Sequence, residues 1–150
     1  MASNDRKLTA CFTKSYGQAF RDKLFAMQTT YVRLFADDNG ESHFEEIDVE
    51  LTLEEFAPNT PAMGVSPAMS ASESAFICGP AGWAGDWHVS SARNLFVVIS
   101  GEWEIETSDG TVRKFSSPDV LLAEDTSGKG HRSRVISHED SLALVVQLAA

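Results

Sequence analysis

The spacing of hydrophobic and polar positions changes near residue 30. Before it, Phe12, Tyr16, Phe20 and Leu24 recur every fourth position with Met27 close to the same face, the period of an amphipathic α-helix. Beyond it the chain turns to short β-rich runs punctuated by Gly, Pro, Asn and Asp. The pattern therefore predicts a helical extension over residues 1–30 and an all-β domain over 31–150. The basic residues Arg6, Lys7, Lys14, Arg21 and Lys23 offer a targeting presequence as the alternative for the extension, against which Asp5, Asp22 and the scarcity of serine count.

Strands are expected at Tyr31–Phe35, which ends in the turn cluster Asp37-Asp38-Asn39-Gly40, and at His43–Leu51, where His43, Ile47, Val49 and Leu51 share one face. The proline-bearing stretch Phe56–Ser74 has no period and is expected to be a long ordered loop. Ala75–Cys78 is a short strand, Gly79–Gly82 a turn, and Trp83–Trp87 a glycine-broken approach to His88. Leu95–Ile99 is apolar on both faces, which predicts a strand covered on both sides. After Gly101, Trp103, Ile105 and Thr107 alternate inward against Glu102, Glu104 and Glu106. Asp109-Gly110 signals a hairpin into Thr111–Phe115. Val120–Ala123 and Ser133–Ile136 flank a glycine-rich loop, and Leu142–Leu148 closes the series. Eight or more short antiparallel strands cover their apolar faces by forming a sandwich or barrel.

Composition narrows the functional classes. One domain of 150 residues, 43% hydrophobic, can bury a core without staples. A net charge of -10 repels phosphate backbones and anionic lipid, which speaks against nucleic acid and membrane surfaces as partners. The absence of a long apolar run or a secretory leader predicts a soluble, cytoplasmic protein. Cys11 and Cys78 do not form a disulfide framework.

The order Trp87-His88, Arg93-Asn94, Ser100-Gly101-Glu102, Asp119-Val120-Leu121-Leu122 and Glu124-Asp125-Thr126 through Gly128-Lys129-Gly130-His131 resembles the cupin superfamily, in particular its small single-domain members. The resemblance runs from about Trp83 to Arg134, with looser support back to Tyr31. It implies a cupin-type double-stranded β-helix, a jelly-roll barrel, and adds to the expectation of a homodimer that the two-sided apolar Leu95–Ile99 and the amphipathic N-terminal stripe already raise. It is specific for fold and weak for reaction, because such folds host many chemistries. The family's metal site takes three His and one Glu. Here His88 and His131 match two of the histidines, whereas Ser90 and Asn94 occupy the positions of the third histidine and the glutamate. Neutral hydroxyl and amide groups are poor ligands for a transition metal. No cofactor is therefore expected, and a divalent Fe, Mn, Ni or Zn held by His88 and His131 with Glu124 or Asp125 is the alternative.

In such a barrel His88, His131, Asn94 and Arg93 are the expected catalytic groups, the histidines as acid and base and Asn94 with Arg93 holding a developing oxyanion. Ser90, Trp87, Phe96, Val98, Trp103, Ile105, Glu124, Asp125 and His43 are the expected substrate-contacting groups, although an ordinary hydrogen-bonded role is favoured for His43 over a third catalytic one. The stretch Thr126–His131 lacks the spacing of a phosphate-binding loop; its glycines suit a sharp turn, with Lys129 solvated or paired with Glu124. His138 is read as a surface turn residue. The leading expectation is metal-independent isomerisation, cyclisation or elimination on a small, largely hydrophobic carbonyl or phenolic metabolite. The alternatives are a metal-dependent dioxygenase-like cupin and a non-catalytic small-molecule-binding cupin.

Overall fold

The structure, a computed structural model, describes residues 28–149. The expected N-terminal helix, with its Phe12, Tyr16, Phe20 and Leu24 stripe, lies outside the described residues. Within them the elements are β1 (Gln28–Ala36), β2 (Ser42–Glu50), β3 (Thr52–Glu54), β4 (Met63–Val65), β5 (Ala71–Gly79), β6 (Asn94–Ser100), β7 (Glu102–Thr107), β8 (Val112–Ser116), β9 (Val120–Ala123), β10 (His131–Val135) and β11 (Ser141–Leu148). The all-β expectation holds. No helix among the described residues is long and apolar enough to cross a membrane.

The chain divides into two units. In one, Val49–Pro67 carries the hairpin of β3 and β4, with Leu53 opposite Gly64. Thr60 Oγ1 donates to the Ala57 carbonyl at 2.6 Å and closes a turn between the two strands. The expected long loop over Phe56–Ser74 is thus corrected in its middle, by β4, and at its end, by the start of β5. Three residues centred on Gly64 are too few to register a period. Ala71–Ser74 is exposed and carries no large apolar residue, and is a strand because it pairs with β11.

The other unit, Thr30–Asp48 with Ala68–Ala150, holds a six-stranded sheet in the order β2-β1-β9-β6-β11-β5 and a three-stranded sheet in the order β10-β7-β8. Their inner faces share one core of Val32, Leu34, Val98, Trp103, Ile105, Phe115, Leu121 and Val135, with Phe44 and Phe96 packed against it. Complete burial of a side chain such as Leu34 or Phe115 contributes about 1.5–3 kcal/mol. Trp103, Ile105 and Thr107 are buried, as their alternation with glutamates predicts. On β6, Val98 is buried but Ile99 is 41% exposed, so the expectation of two covered faces fails at that end of the strand.

Two further differences bear on the site. β1 and β9 pair in parallel, Val32 opposite Leu121, where an antiparallel domain was expected. β10 begins at His131, two residues before its expected start, because His131 pairs with Thr107 on one side and with His88 on the other. Hydrogen bonds from Gly85 N to Ser133 O and from Val135 N to Trp83 O, each 2.9 Å, lay the Trp83–His88 segment along the free edge of β10.

Candidate functional site

The backbone of His88 and His131 forms a reciprocal pair, His88 N to His131 O at 2.9 Å and His131 N to His88 O at 2.8 Å. This sets their imidazoles side by side, ring centroids 4.5 Å apart and tilted by 56°. Gly130 makes the approach feasible. Its φ is +72°, and a Cβ there would lie 2.0 Å from the His88 carbonyl oxygen.

Each ring is oriented through Nδ1. In His88, Nδ1 lies 2.8 Å from the Asp86 carbonyl, which can only accept, so the neutral ring carries its proton on Nδ1 and its lone pair on Nε2. In His131, Nδ1 donates to Asp125 Oδ2 at 2.6 Å. Asp125 is fully buried, and its other oxygen accepts from Ser90 Oγ at 2.7 Å. Ser90 N also donates to the Asp125 carbonyl at 3.1 Å. Ser90, Asp125 and His131 therefore form a buried chain that fixes the His131 tautomer and leaves Nε2 as the basic nitrogen.

Both histidines line a cavity of about 480 Å³, within the range of roughly 300–1,000 Å³ typical of small-molecule sites. Phe96, Trp103 and Trp83 supply aromatic wall, Phe96 and Trp83 each edge-on to Trp103 at centroid distances of 5.2 and 5.7 Å. Ile77, Ile105, Leu121, Ala123 and Val145 supply aliphatic wall, and Ser90, Ser91, Asn94 and Ser133 the remaining polar groups. Asn94 is steadied by a 2.8 Å hydrogen bond from Nδ2 to the Ala92 carbonyl, which leaves its second N–H and its oxygen uncommitted.

Of the expected residues, His88, His131, Ser90, Asn94, Phe96, Trp103 and Ile105 come together at this cavity. The others do not line it. Arg93, adjacent to Asn94, is half exposed and bonds Glu124 Oε1 through Nε at 2.7 Å; successive residues of an extended chain point to opposite sides, so Arg93 and Asn94 do not share an oxyanion. Glu124 also accepts from Arg33 Nε at 2.5 Å. Burial acts to raise the Glu124 pKa, but the hydrogen bonds from Arg33 and Arg93 outweigh it and hold the group below its ordinary value. Trp87, next to His88, is 44% exposed beneath the Arg132 guanidinium at 5.3 Å. Val98 sits in the core. Asp125 supports His131 from behind. Lys129 pairs with Glu41 and not with Glu124. His43 bridges Asp109 at 2.8 Å and Asp37 at 3.1 Å. Hydrogen bonds to Asp37 and Asp109 raise its pKa against a smaller opposing effect of burial. His138 is exposed.

Trp83, Ser91, Ser133 and Cys78 are lining residues that the sequence did not single out as such. Counting two positions from His131 along a strand would have found Ser133; beginning that strand at Ser133 hid the phase. The other three lie on irregular or edge segments without a readable alternation.

The donor set does not fit the alternative of a transition metal held by His88 and His131 with Glu124 or Asp125. Both Asp125 oxygens are engaged by Ser90 and His131, and Glu124 is held between two arginines. Two imidazoles remain, and no group of three or more His, Cys, Asp or Glu side chains converges among the described residues.

No protein-family model matches the chain, and no curated protein is similar to it. Solved structures do resemble it, two cupins among them. One is a Cupin 2 conserved barrel domain protein from Salinispora arenicola, 19% identical over 67% of this chain and 76% of its own, with a TM-score of 0.45. The other is the Cnp3 cupin domain of Schizosaccharomyces pombe, 17% identical over 85% of this chain and 88% of its own, with a TM-score of 0.40.

Proposed function

We propose that this protein is a small cupin-type enzyme that moves protons on a small, largely apolar substrate without a metal. The observation that carries the reading is the 2.6 Å contact between His131 Nδ1 and a fully buried Asp125, beside the His88 ring in the same cavity. His131 Nε2 acts as the base. The imidazolium formed is stabilised by Asp125, whose own position is held by Ser90. His88, protonated on Nε2 from solvent, gives that proton to the substrate, His131 releases its own to solvent, and the uncommitted Asn94 N–H holds oxygen charge that develops between the two steps. The aromatic and aliphatic walls bind the substrate body and exclude water. This chemistry covers isomerisation and cyclisation in which a carbon receives a solvent-derived proton, and elimination, which takes a proton from carbon and places a solvent-derived one there on the reverse addition.

The test is incubation of the purified protein with a metabolite extract in deuterium oxide, read by mass spectrometry, with His131→Ala as the control. One metabolite gaining solvent deuterium with the wild type, not with the variant, and equally after extensive chelation is the expected result. Labelling that disappears on chelation and returns with one divalent ion would establish the metal-dependent alternative. A compound retained by the protein without labelling would establish a binding module.

A further inference from the structure

Ser42, at the start of β2, is fully buried and has no part in the chemistry proposed above. Its hydroxyl is nevertheless bound on both sides. Oγ donates to the Gly130 carbonyl at 2.6 Å and accepts from Ser108 N at 2.7 Å, while Ser42 N donates to Ser108 Oγ at 2.8 Å. Ser108 Oγ donates in turn to Glu41 Oε2 at 2.7 Å. A carbonyl and a carboxylate only accept, so each proton in this chain has one direction and both hydroxyls are fixed.

The chain meets the site at Gly130. The peptide that joins Gly130 to His131 is a rigid plane. Its carbonyl receives the Ser42 hydroxyl, and its N–H, that of His131, donates to the His88 carbonyl at 2.8 Å. The plane is thus held at both ends. Only glycine fits at this position, because a Cβ would lie 2.0 Å from the His88 carbonyl oxygen. Glycine is also the residue whose backbone is least restrained by its own side chain. Ser42, eighty-eight residues away in sequence, supplies the missing restraint from outside.

We infer that Ser42 is a positioning residue of the site: through the Gly130 carbonyl, its hydroxyl sets the peptide plane that presents the His131 N–H to His88, and so holds the two imidazoles in register. The consequence for rate rests on the reading of the histidines as an acid–base pair, whereas the consequence for their geometry does not.

Ser42→Ala tests it against Ser141→Ala. Ser141 is also fully buried and its Oγ also donates to a carbonyl, that of Ser100, at 2.7 Å, but neither residue lines the cavity. A purely structural serine at position 42 predicts like effects in the two variants. Expected in Ser42→Ala are amide exchange about tenfold faster at His88 and His131, displaced imidazole carbon–proton signals from both rings, and deuterium labelling about tenfold slower. In Ser141→Ala all three stay at their wild-type values. Ser42→Cys, with a thiol that donates only weakly, should show the same changes to a smaller extent and decides the matter if Ser42→Ala folds poorly. Unmoved imidazole signals and unchanged exchange in the Ser42 variants, or equal changes in Ser141→Ala, overturn the inference. Displaced signals with an unchanged labelling rate overturn it as well. A wild type that labels no metabolite removes the acid–base reading instead, and the exchange and imidazole signals then decide by themselves whether Ser42 sets the pair.

Discussion

Removing the Asp125 carboxylate is expected to damage stability and chemistry together. Asp125 has no exposed surface and accepts two hydrogen bonds, from Ser90 Oγ at 2.7 Å and from His131 Nδ1 at 2.6 Å. Asp125→Ala strands two donors in sites where Ser90 and His131 are themselves nearly buried. At about 1–3 kcal/mol for each unpaired buried donor, the total is about 2–6 kcal/mol. For a domain of this size that lowers Tm by roughly 5–25 °C. Asp125→Asn keeps the shape and one acceptor oxygen, so about half of that loss is expected. In the wild type the His131 Nδ1 proton, held in a short bond to a carboxylate, should give a far-downfield resonance that is absent in Asp125→Ala. With the tautomer no longer fixed, deuterium labelling should fall by about 10²–10⁴-fold. Thermal denaturation and the imidazole proton spectrum check the two halves separately. A loss of less than about 1 kcal/mol in Asp125→Ala, or a downfield resonance that persists in it, would refute the buried chain as drawn.

Three other outcomes follow from the same geometry. His43 titrates with a raised pKa between Asp37, itself lowered, and Asp109, where burial acts upward but bonds from Thr107, Thr111 and His43 hold the group at about 2. The stability lost in His43→Ala should therefore be largest between about pH 4 and the ordinary histidine value of 6.5, decline as pH rises through the raised pKa, and decline again as the carboxylates protonate in acid; a pH-independent difference in urea denaturation would contradict it. Gly130→Ala places a Cβ against the His88 carbonyl at a positive φ, so the His88–His131 backbone pair should open, seen as faster amide exchange at both residues; unchanged protection would contradict the close approach. Arg93→Ala should leave the labelling rate within about twofold, because its guanidinium is held by Glu124 outside the cavity lining; a loss comparable to that of a histidine variant would return Arg93 to the site.

The strands whose pattern is local were legible before any coordinates. Trp103, Ile105 and Thr107 alternate against glutamates, and Gly101 and Gly110 stand at the turns bounding that strand, so β7 follows from short-range physics alone. His88, Ser90, Asn94 and His131 were legible as one constellation through the cupin resemblance of their spacing, and they do meet at one cavity. Tertiary structure decided which neighbour of each pair faces inward. Asn94 rather than Arg93 and His88 rather than Trp87 line the cavity, because an alternating chain specifies two faces but not which one the other sheet will cover. It also decided the role of Asp125. Read along the chain, that residue is an acidic neighbour of Glu124 and an equal candidate for substrate or metal; folded, it is buried between Ser90, thirty-five residues before it, and His131. Period, turn and composition are carried by residues close in sequence, whereas an orienting hydrogen bond of this kind exists only where distant strands are brought into register, and that information resides in the packing of the two sheets.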